Sequence, residues 1–223
     1  GIRVSSSGQP IPLLDRLYHQ YLEDEDSSGF ICAVAERYTV CTLERLALSG
    51  NRITRRAAVL ALGYIGQYES NAVLGRLLHD DDRGVRILAE NGIRELWCRT
   101  GTEAQRQTLS IIVRLNASQQ YEQAIMRATE LIEQAPWFAE AWNQRAIGFY
   151  QLGTYEQSAS DCHQALEINP YHFGAAVGMA HCYLELSDGF AALEAFRRAV
   201  KLNPSMEDVR AQVEYLERQL EGK

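Results

Sequence analysis

The sequence predicts an all-α solenoid of stacked helical hairpins, with about thirteen helices and no β-sheet. One observation behind this prediction is a fixed 34-residue period, which relates Pro136, Pro170 and Pro204. Another is that this alignment superposes small residues, as with Ala146 and Ala180. A period of this length with small residues at set places indicates helical hairpins, each packed against its neighbours in the chain.

Residues 139–172 form the best-defined repeat and predict two helices. Both show the i, i+4, i+7 spacing of an apolar face: Trp142, Ala146 and Phe149 on the first, Ser158, Cys162 and Ala165 on the second. Gly153 separates the two helices. Pro170 ends the second helix, because proline disfavours helical geometry at the residue before it.

This pattern resembles the tetratricopeptide repeat (TPR), a family of helical hairpins. The residues that match its signature are Trp142, Ala146, Phe149, Gly153, Tyr155, Ala165 and Pro170, then Ala180, Tyr183, Ala192, Phe196, Ala199 and Pro204. Ser187 stands where the family has glycine. Residues 105–138 are a degenerate copy, with Ile111, Ile112 and Leu115 as its predicted first stripe.

Upstream of residue 100 the period changes to 31, and residues 54–58 align with residues 85–89. These segments resemble the short HEAT-like repeats of the phycobilisome-lyase type, whose helices begin with an arginine after an acidic turn. Here that turn is residues 80–82. Before them, residues 11–23 predict an N-terminal cap helix with an apolar face of Leu13, Leu14, Leu17, Tyr18, Tyr21 and Leu22.

The predicted organisation has four segments along the chain. They are a frayed N-terminus (1–10), the cap helix with HEAT-like repeats (11–100), three TPR-like repeats (101–206) and a C-terminal capping helix (207–223). No Pro/Ser-rich linker separates the two arrays, so we expect one continuous superhelix. The chain begins at Gly1 without methionine, which is compatible with a fragment of a longer protein.

Composition narrows the class of function. A net charge of −7 argues against sequence-independent nucleic-acid binding, which needs clustered positive charge. The arginines Arg52, Arg55, Arg56, Arg83 and Arg86 leave a phosphate-binding face as a less favoured possibility. The alternative is that they pair with Asp80, Asp81 and Asp82, which also suit a helix N-terminus.

The five cysteines (Cys32, Cys41, Cys98, Cys162 and Cys182) show no CxxC spacing, so we expect a reducing, cytoplasmic compartment. All five thiols are predicted to be reduced and mostly buried. Cys162-His163 and His181-Cys182 are not expected to form a metal site, because their side chains point in different directions. No apolar run reaches membrane-spanning length.

No catalytic motif is present, neither GxSxG nor HExxH nor a glycine-rich phosphate loop. The sequence therefore predicts a non-enzyme without a cofactor, a metal or catalytic residues. The predicted function is that of a protein–protein interaction scaffold. An alternative is an enzyme-associated module, such as a cofactor-attachment or lyase-type factor that uses the HEAT-like half.

The resemblance to TPR proteins implies a concave groove lined by the fifth, ninth and twelfth residues of each repeat's first helix. These residues are Leu109, Val113 and Asn116, then Asn143, Ile147 and Tyr150, then Val177, His181 and Leu184. One subset of the family binds a C-terminal carboxylate with Lys and Asn, but here Leu109 and Val113 stand at those places. The predicted partner is a helix or extended peptide with hydrophobic anchors. The groove can instead be covered by the chain's own turns.

Overall fold

The structure, a computed structural model, describes residues 11–220 and 222. These residues contain thirteen α-helices, one short 3-10 helix and no β-strand, which confirms the predicted all-α class. The predicted frayed N-terminus, residues 1–10, lies outside the described residues. The chain divides into two compact units, Gly1–Leu96 and Trp97–Lys223.

The first unit shows a 31-residue period in its helices. They are α1 (Leu13–Asp24), α2 (Ser27–Ala35), α3 (Val40–Ser49), α4 (Arg52–Ile65), α5 (Asn71–Leu77) and most of α6 (Arg83–Cys98). Helices α3 and α5 begin one such period apart, and so do α4 and α6. The sequence period therefore corresponds to a repeated pair of helices.

Helix α1 buries a narrower face than its sequence predicts. Leu14 and Tyr18 are buried, but Leu22 is 56% exposed. The buried side also includes Asp15, which accepts a hydrogen bond from Thr54 Oγ1 of α4 at 2.8 Å. The predicted cap helix is present, and a buried polar contact joins its apolar residues in holding it on α4.

Helices α4 and α6 approach most closely at two glycines. A Cβ atom on Gly63 would lie 3.1 Å from Gly92 Cα, and one on Gly92 would lie 3.0 Å from Gly63 Cα. Backbone atoms cannot move aside as a flexible side chain can. A side chain at either position would push the two backbones apart by a few tenths of an ångström, so glycine suits the short distance between these helices.

The second unit consists of three helical hairpins and a final helix. Its helices are α7 (Glu103–Ala117), α8 (Tyr121–Gln134), α9 (Ala139–Gln151), α10 (Tyr155–Ile168), α11 (Phe173–Glu185), α12 (Gly189–Leu202) and α13 (Glu207–Leu220). Helices α8, α10 and α12 begin at successive 34-residue intervals, as do α9, α11 and α13. The period read from the prolines thus sets the positions of six helices.

Small residues allow the two helices of a hairpin to pack closely. Ala146 and Ala180 are 1% and 0% exposed, and Ser158, Cys162 and Ala165 are buried as predicted. Ser158 Oγ donates a hydrogen bond to the Ala146 carbonyl oxygen at 2.7 Å, which ties α10 to α9. Because the hydroxyl is satisfied inside the hairpin, serine fits a position that is otherwise apolar.

One of the three residues in the predicted apolar stripe of α7 is wrong. Ile111 is 42% exposed, whereas Ile112 is buried and Leu115 packs against the core that also contains Leu109 and Phe138. Helix α7 begins at Glu103, ahead of the repeat boundary at residue 105 that the 34-residue period predicts. Ile112 and Leu115 occupy the same repeat positions as Ala146 and Phe149, so the degenerate repeat packs with the face that the 34-residue alignment assigns to it.

Candidate functional site

The predicted groove residues lie on α7, α9 and α11, the first helices of the three hairpins. Helix α7 contacts α9, and α9 contacts α11, so these helices lie side by side. We call their shared surface the A-helix face. The residues predicted to line it are Leu109, Val113, Asn143, Ile147, Tyr150, Val177, His181 and Leu184, and all of them except Leu109 are exposed or half-buried.

Two apolar side chains of the A-helix face are exposed at equivalent positions of neighbouring helices. Val113 on α7 is 38% exposed and Ile147 on α9 is 37% exposed, and they are separated by one 34-residue period. The equivalent residue on α11 is His181, which is half-buried. Its ring packs edge-on against the buried Phe196 ring, with 5.2 Å between the ring centres.

Leu109 does not belong to an accessible surface, contrary to its predicted role. Its side chain is 2% exposed and packs in the hydrophobic core with Ile112 and Phe138. The physical reason is packing, because Leu109 belongs to an apolar cluster with residues of α8 and α9, among them Leu131 and Ala141. Leu109 therefore contributes to stability and cannot contact a ligand.

The remaining predicted residues are half-buried and already have contacts within the chain. Val177 and Leu184 pack against the C-terminal hydrophobic core. The Tyr150 hydroxyl donates to Glu185 Oε1 at 3.4 Å. Burial, followed by the nearby Glu185 carboxylate, raises the pKa of Tyr150 above its ordinary value, so the hydroxyl keeps its proton.

A buried polar pair, which the sequence analysis missed, lies beside the A-helix face. His172 Nε2 is 2.7 Å from Glu140 Oε2, and both residues are buried. Asn143 and Gln144 each donate a side-chain hydrogen bond to Glu140 Oε1, at 3.1 and 2.8 Å. The Trp97 ring stacks on the His172 ring, with 4.2 Å between their centres.

The hydrogen bonds fix the protonation of this pair. The Ala175 backbone N–H donates to His172 Nδ1 at 3.0 Å, so that nitrogen carries no proton and Nε2–H donates to Glu140. Burial favours a raised pKa for Glu140, but the hydrogen bond from His172 and its electrostatic attraction, then the hydrogen bonds from Gln144 and Asn143, outweigh it and lower the pKa. Glu140 is therefore a buried carboxylate held by directed donors.

No repeat signal in the sequence could have identified this pair. The residues equivalent to His172 are Phe138 and Met206, and those equivalent to Glu140 are Arg106 and Gly174. The pair is therefore specific to the interface between α9 and α11. Asn143 of the A-helix face donates its amide to Glu140 of this pair, so its side chain is already hydrogen-bonded within the chain.

The positive charge of Arg145 on α9 is paired with a carboxylate of the same hairpin. Arg145 forms two hydrogen bonds with Asp161 of α10, at 2.7 and 2.8 Å. Its guanidinium group also lies 5.1 Å from the Trp142 ring centre and 5.6 Å from that of Phe149. Since Glu140 is held as well, the exposed part of α9 on this face is apolar or uncharged.

The cysteines differ from the prediction in their exposure. All five are free thiols, but Cys32 and Cys41 are exposed, so only Cys162 and Cys182 are fully buried. Cys182 Sγ donates to Ser158 Oγ at 3.2 Å. A hydrogen bond with Cys162 lowers the pKa of Cys182 to about 7, and the same contact raises that of Cys162. Within the described ranges, no three His, Cys, Asp or Glu residues are grouped as metal ligands.

In the first unit, three of the five arginines considered for phosphate binding, Arg55, Arg56 and Arg86, donate hydrogen bonds to the acidic turn. Arg55 donates to both Asp80 oxygens and to Asp81, and Arg56 Nε donates to Asp82 at 2.7 Å. Asp82 also caps α6, since its Oδ1 accepts from the Val85 N–H at 3.0 Å. The predicted pairing with the carboxylates of residues 80–82 is confirmed for Arg55 and Arg56, while Arg86 donates to the backbone carbonyl oxygens of Asp80 and Asp81.

The chain is similar in sequence to TPR proteins. A TPR repeat-containing protein of Rhizobium etli is 36% identical over 93 residues, which are 42% of this chain and 46% of the relative. The Protein SGT1 homolog of Bos taurus is 33% identical over 88 residues, 40% of this chain and 26% of the relative. The chain thus spans less than half the length of these curated relatives. It matches no protein-family model.

Solved TPR domains share the fold of about half the chain. The first TPR domain of Spaghetti (RPAP3), bound to the HSP90 peptide SRMEEVD, has a TM-score of 0.52 and 16% identity, and covers 54% of this chain and 96% of that one. The OM64 TPR domain of Arabidopsis has a TM-score of 0.51 and 23% identity, with 53% and 98% coverage. These findings support the TPR resemblance. They do not support the HEAT-like resemblance of the N-terminal half.

Proposed function

We propose that the second unit is a non-catalytic interaction module that binds a protein partner on its A-helix face. The observation that carries this proposal is the pair Val113 and Ile147. Both are exposed apolar side chains at the same repeat position on neighbouring helices. Covering the exposed part of each would contribute about 1 kcal/mol, since burying a whole aliphatic side chain is worth about 1.5–3 kcal/mol.

The chemistry of the face favours a helix or extended peptide with hydrophobic anchors. A carboxylate-binding mode needs accessible cations or amides, but Arg145 is bound to Asp161 and Asn143 to Glu140. Two apolar contacts at equivalent positions of adjacent repeats instead suit a peptide that crosses from α7 to α9. The related RPAP3 domain is bound to an acidic peptide, SRMEEVD. We propose that this chain prefers a different, more apolar ligand.

The test is affinity capture from an extract of the source cells, with the intact chain and with the double variant Val113→Glu/Ile147→Glu as baits. Because both side chains are partly exposed, the variant should keep its helical content and its unfolding midpoint. Loss of the captured partner is the expected result, since two charges would have to be buried in an apolar contact.

The matched control is Met126→Glu on α8, which changes an apolar side chain that is 56% exposed on a different helix. This variant should capture the partner as the intact chain does. If the double variant captures the partner normally, or if Met126→Glu is equally defective, the A-helix face is not the binding surface.

A further inference from the structure

The first unit contains a small cleft that the proposed interaction on the second unit does not use. It lies between α1 and α2 and has a volume of about 90 Å³. Its apolar side is formed by Leu17, Tyr21, Phe30 and Ala33, and its acidic side by Asp24 and Asp26. The Tyr21 and Phe30 rings lie 5.5 Å apart, centre to centre.

The volume limits what can bind there. Sites for drug-sized ligands and cofactors occupy about 300–1,000 Å³, several times more than this cleft offers. A volume of about 90 Å³ instead suits the end of one long side chain. The cleft is therefore the size of a pocket for a single residue of a partner protein.

Both carboxylates are held in place by backbone groups. Asp24 Oδ1 accepts from the Asp26 N–H, and Asp26 Oδ1 accepts from the Gly29 N–H, each at 2.9 Å. A Cβ atom at position 29 would collide with Asp26 Oδ2, so the glycine leaves room for that carboxylate above the first turn of α2. Within residues 11–220, no hydrogen bond reaches the second oxygen of either group.

No lysine or arginine among the described residues lines the cleft itself. Arg37 donates to the carbonyl oxygen of the lining residue Ala33 and is paired with Glu36. An apolar, aromatic pocket with two oriented carboxylates at one side is complementary to a cation that has an apolar stem. Among side chains, arginine fits best, because its flat guanidinium group stacks on aromatic rings and its N–H groups can bond to more than one carboxylate oxygen.

We propose that the cleft between α1 and α2 binds an arginine side chain of a partner protein. This site is separate from the A-helix face, and the proposed function of the second unit does not depend on it. The protein would then have two contact sites of different chemistry, one apolar and one selective for a cation.

The test uses the whole chain labelled with ¹⁵N and the probe peptide acetyl-Gly-Arg-Gly-amide, titrated while amide resonances are recorded. The arginine peptide should shift the Gly29, Phe30 and Ala33 signals saturably. The same peptide with citrulline, the neutral isostere of arginine, should bind at least about tenfold more weakly, because it forms no charge-assisted hydrogen bonds. A lysine peptide should also bind more weakly.

The variant Asp24→Asn/Asp26→Asn should lose the response, whereas Glu23→Gln should keep it. Asparagine caps a helix as well as aspartate does, so the double variant should fold, which circular dichroism checks. The proposal is overturned if the arginine peptide gives no saturable shift, if citrulline or lysine binds equally well, or if the double variant still responds. Arg3 lies outside the described residues, so Arg3→Ala is measured in parallel. Binding seen only in that variant would show that the chain fills its own cleft and would overturn a partner site.

Discussion

At the scale of single residues, the turn inside each hairpin of the second unit has the same backbone requirement. Gln119, Gly153 and Ser187 occupy equivalent positions, and their φ angles are 62°, 77° and 60°. This left-handed conformation costs a residue with a Cβ atom about 1 kcal/mol or more, whereas glycine adopts it freely. Two of the three turns are therefore strained, although all three have the same geometry.

Substitution at these turns should change stability in opposite directions. Gly153→Ala should lower the free energy of unfolding by about 1–2 kcal/mol. Ser187→Gly should raise it by less than about 1 kcal/mol, because the new glycine also increases the conformational entropy of the unfolded chain. No atom lies within 4 Å of a Cβ at position 153, so the first change tests backbone strain alone. Urea unfolding measures both, and a neutral Gly153→Ala would contradict the account.

Asp82 should make the first unit sensitive to acid. The hydrogen bond from Arg56, helped by the Val85 N–H, lowers the pKa of Asp82 from 3.8 to about 2. Since the folded pKa is the lower one, its contribution is complete above the ordinary pKa and is lost as pH falls from about 4 to about 2. An NMR titration of the side-chain carboxyl carbon should show this midpoint.

Arg56→Met should return the Asp82 midpoint towards the ordinary value and flatten the loss of stability in that pH range. Arg37→Met removes an exposed arginine that pairs with Glu36, and serves as the control. Its Asp82 titration should match that of the unchanged chain. An unshifted midpoint in Arg56→Met would show that Arg56 does not set the pKa.

At the scale of helices, the contact between α9 and α11 depends on one buried acid. Glu140 gives up water and receives side-chain hydrogen bonds from His172, Asn143 and Gln144 in return. His172 also caps α11 through Nδ1. Removing one partner of a buried pair leaves the other uncompensated, which is costlier than the pair itself is stabilising.

His172→Ala should lower the free energy of unfolding by about 3–5 kcal/mol, because it leaves the Glu140 charge buried without its main donor. Glu140→Gln should cost less, since a neutral amide does not need that donor. In the double variant the two losses should not add, because the glutamine no longer depends on the histidine. Urea unfolding of all four proteins measures the coupling, and additive losses would mean that the two residues act independently.

The sequence predicts helices better than contacts. The starts of α8 to α13 follow from one 34-residue period, because small and apolar residues recur wherever two helices touch. On α7 the predicted stripe wrongly included Ile111, which is exposed, although Ile112 and Leu115 pack in the core as predicted. The His172–Glu140 pair occurs at one interface only, so a method based on recurrence cannot find it. The exposure of Cys32 and Cys41 likewise depends on tertiary neighbours rather than on spacing.

At the scale of the whole molecule, the division into two compact units predicts that a local substitution destabilises one part of the chain before the other. In a repeat array, each hairpin depends mainly on its own packing and on that of its neighbours. Ala180 is fully buried within the core of the C-terminal hairpins. A larger side chain there should disturb those hairpins first.

Ala180→Leu should cost about 3 kcal/mol or more, the upper end of the usual cost of overpacking a core. Hydrogen exchange should show lost protection from about residue 139 onward, with residues 54–96 still protected. Ala117→Leu, at an exposed alanine of α7, should leave exchange unchanged. Uniform loss along the whole chain would mean that the protein unfolds as one cooperative unit.

The sequence predicted which helices and which repeat positions form the candidate binding face. It did not predict which of those side chains are accessible. Val113 and Ile147 are exposed, while Leu109 at an adjacent turn of α7 is buried. A repeat position does not determine which neighbouring side chains cover it. Leu109 is buried, whereas its equivalents Asn143 and Val177 are half-buried.

Duplication of the 31-residue unit would not reproduce the contact between Gly63 and Gly92. Shifted by one period, position 63 becomes Arg94 and position 92 becomes Ala61, so neither glycine recurs. A further copy placed after α6 would bring Arg94 to the position that Gly63 holds on α4. That copy would therefore not reproduce the close glycine contact between α4 and α6 unless position 94 also became glycine.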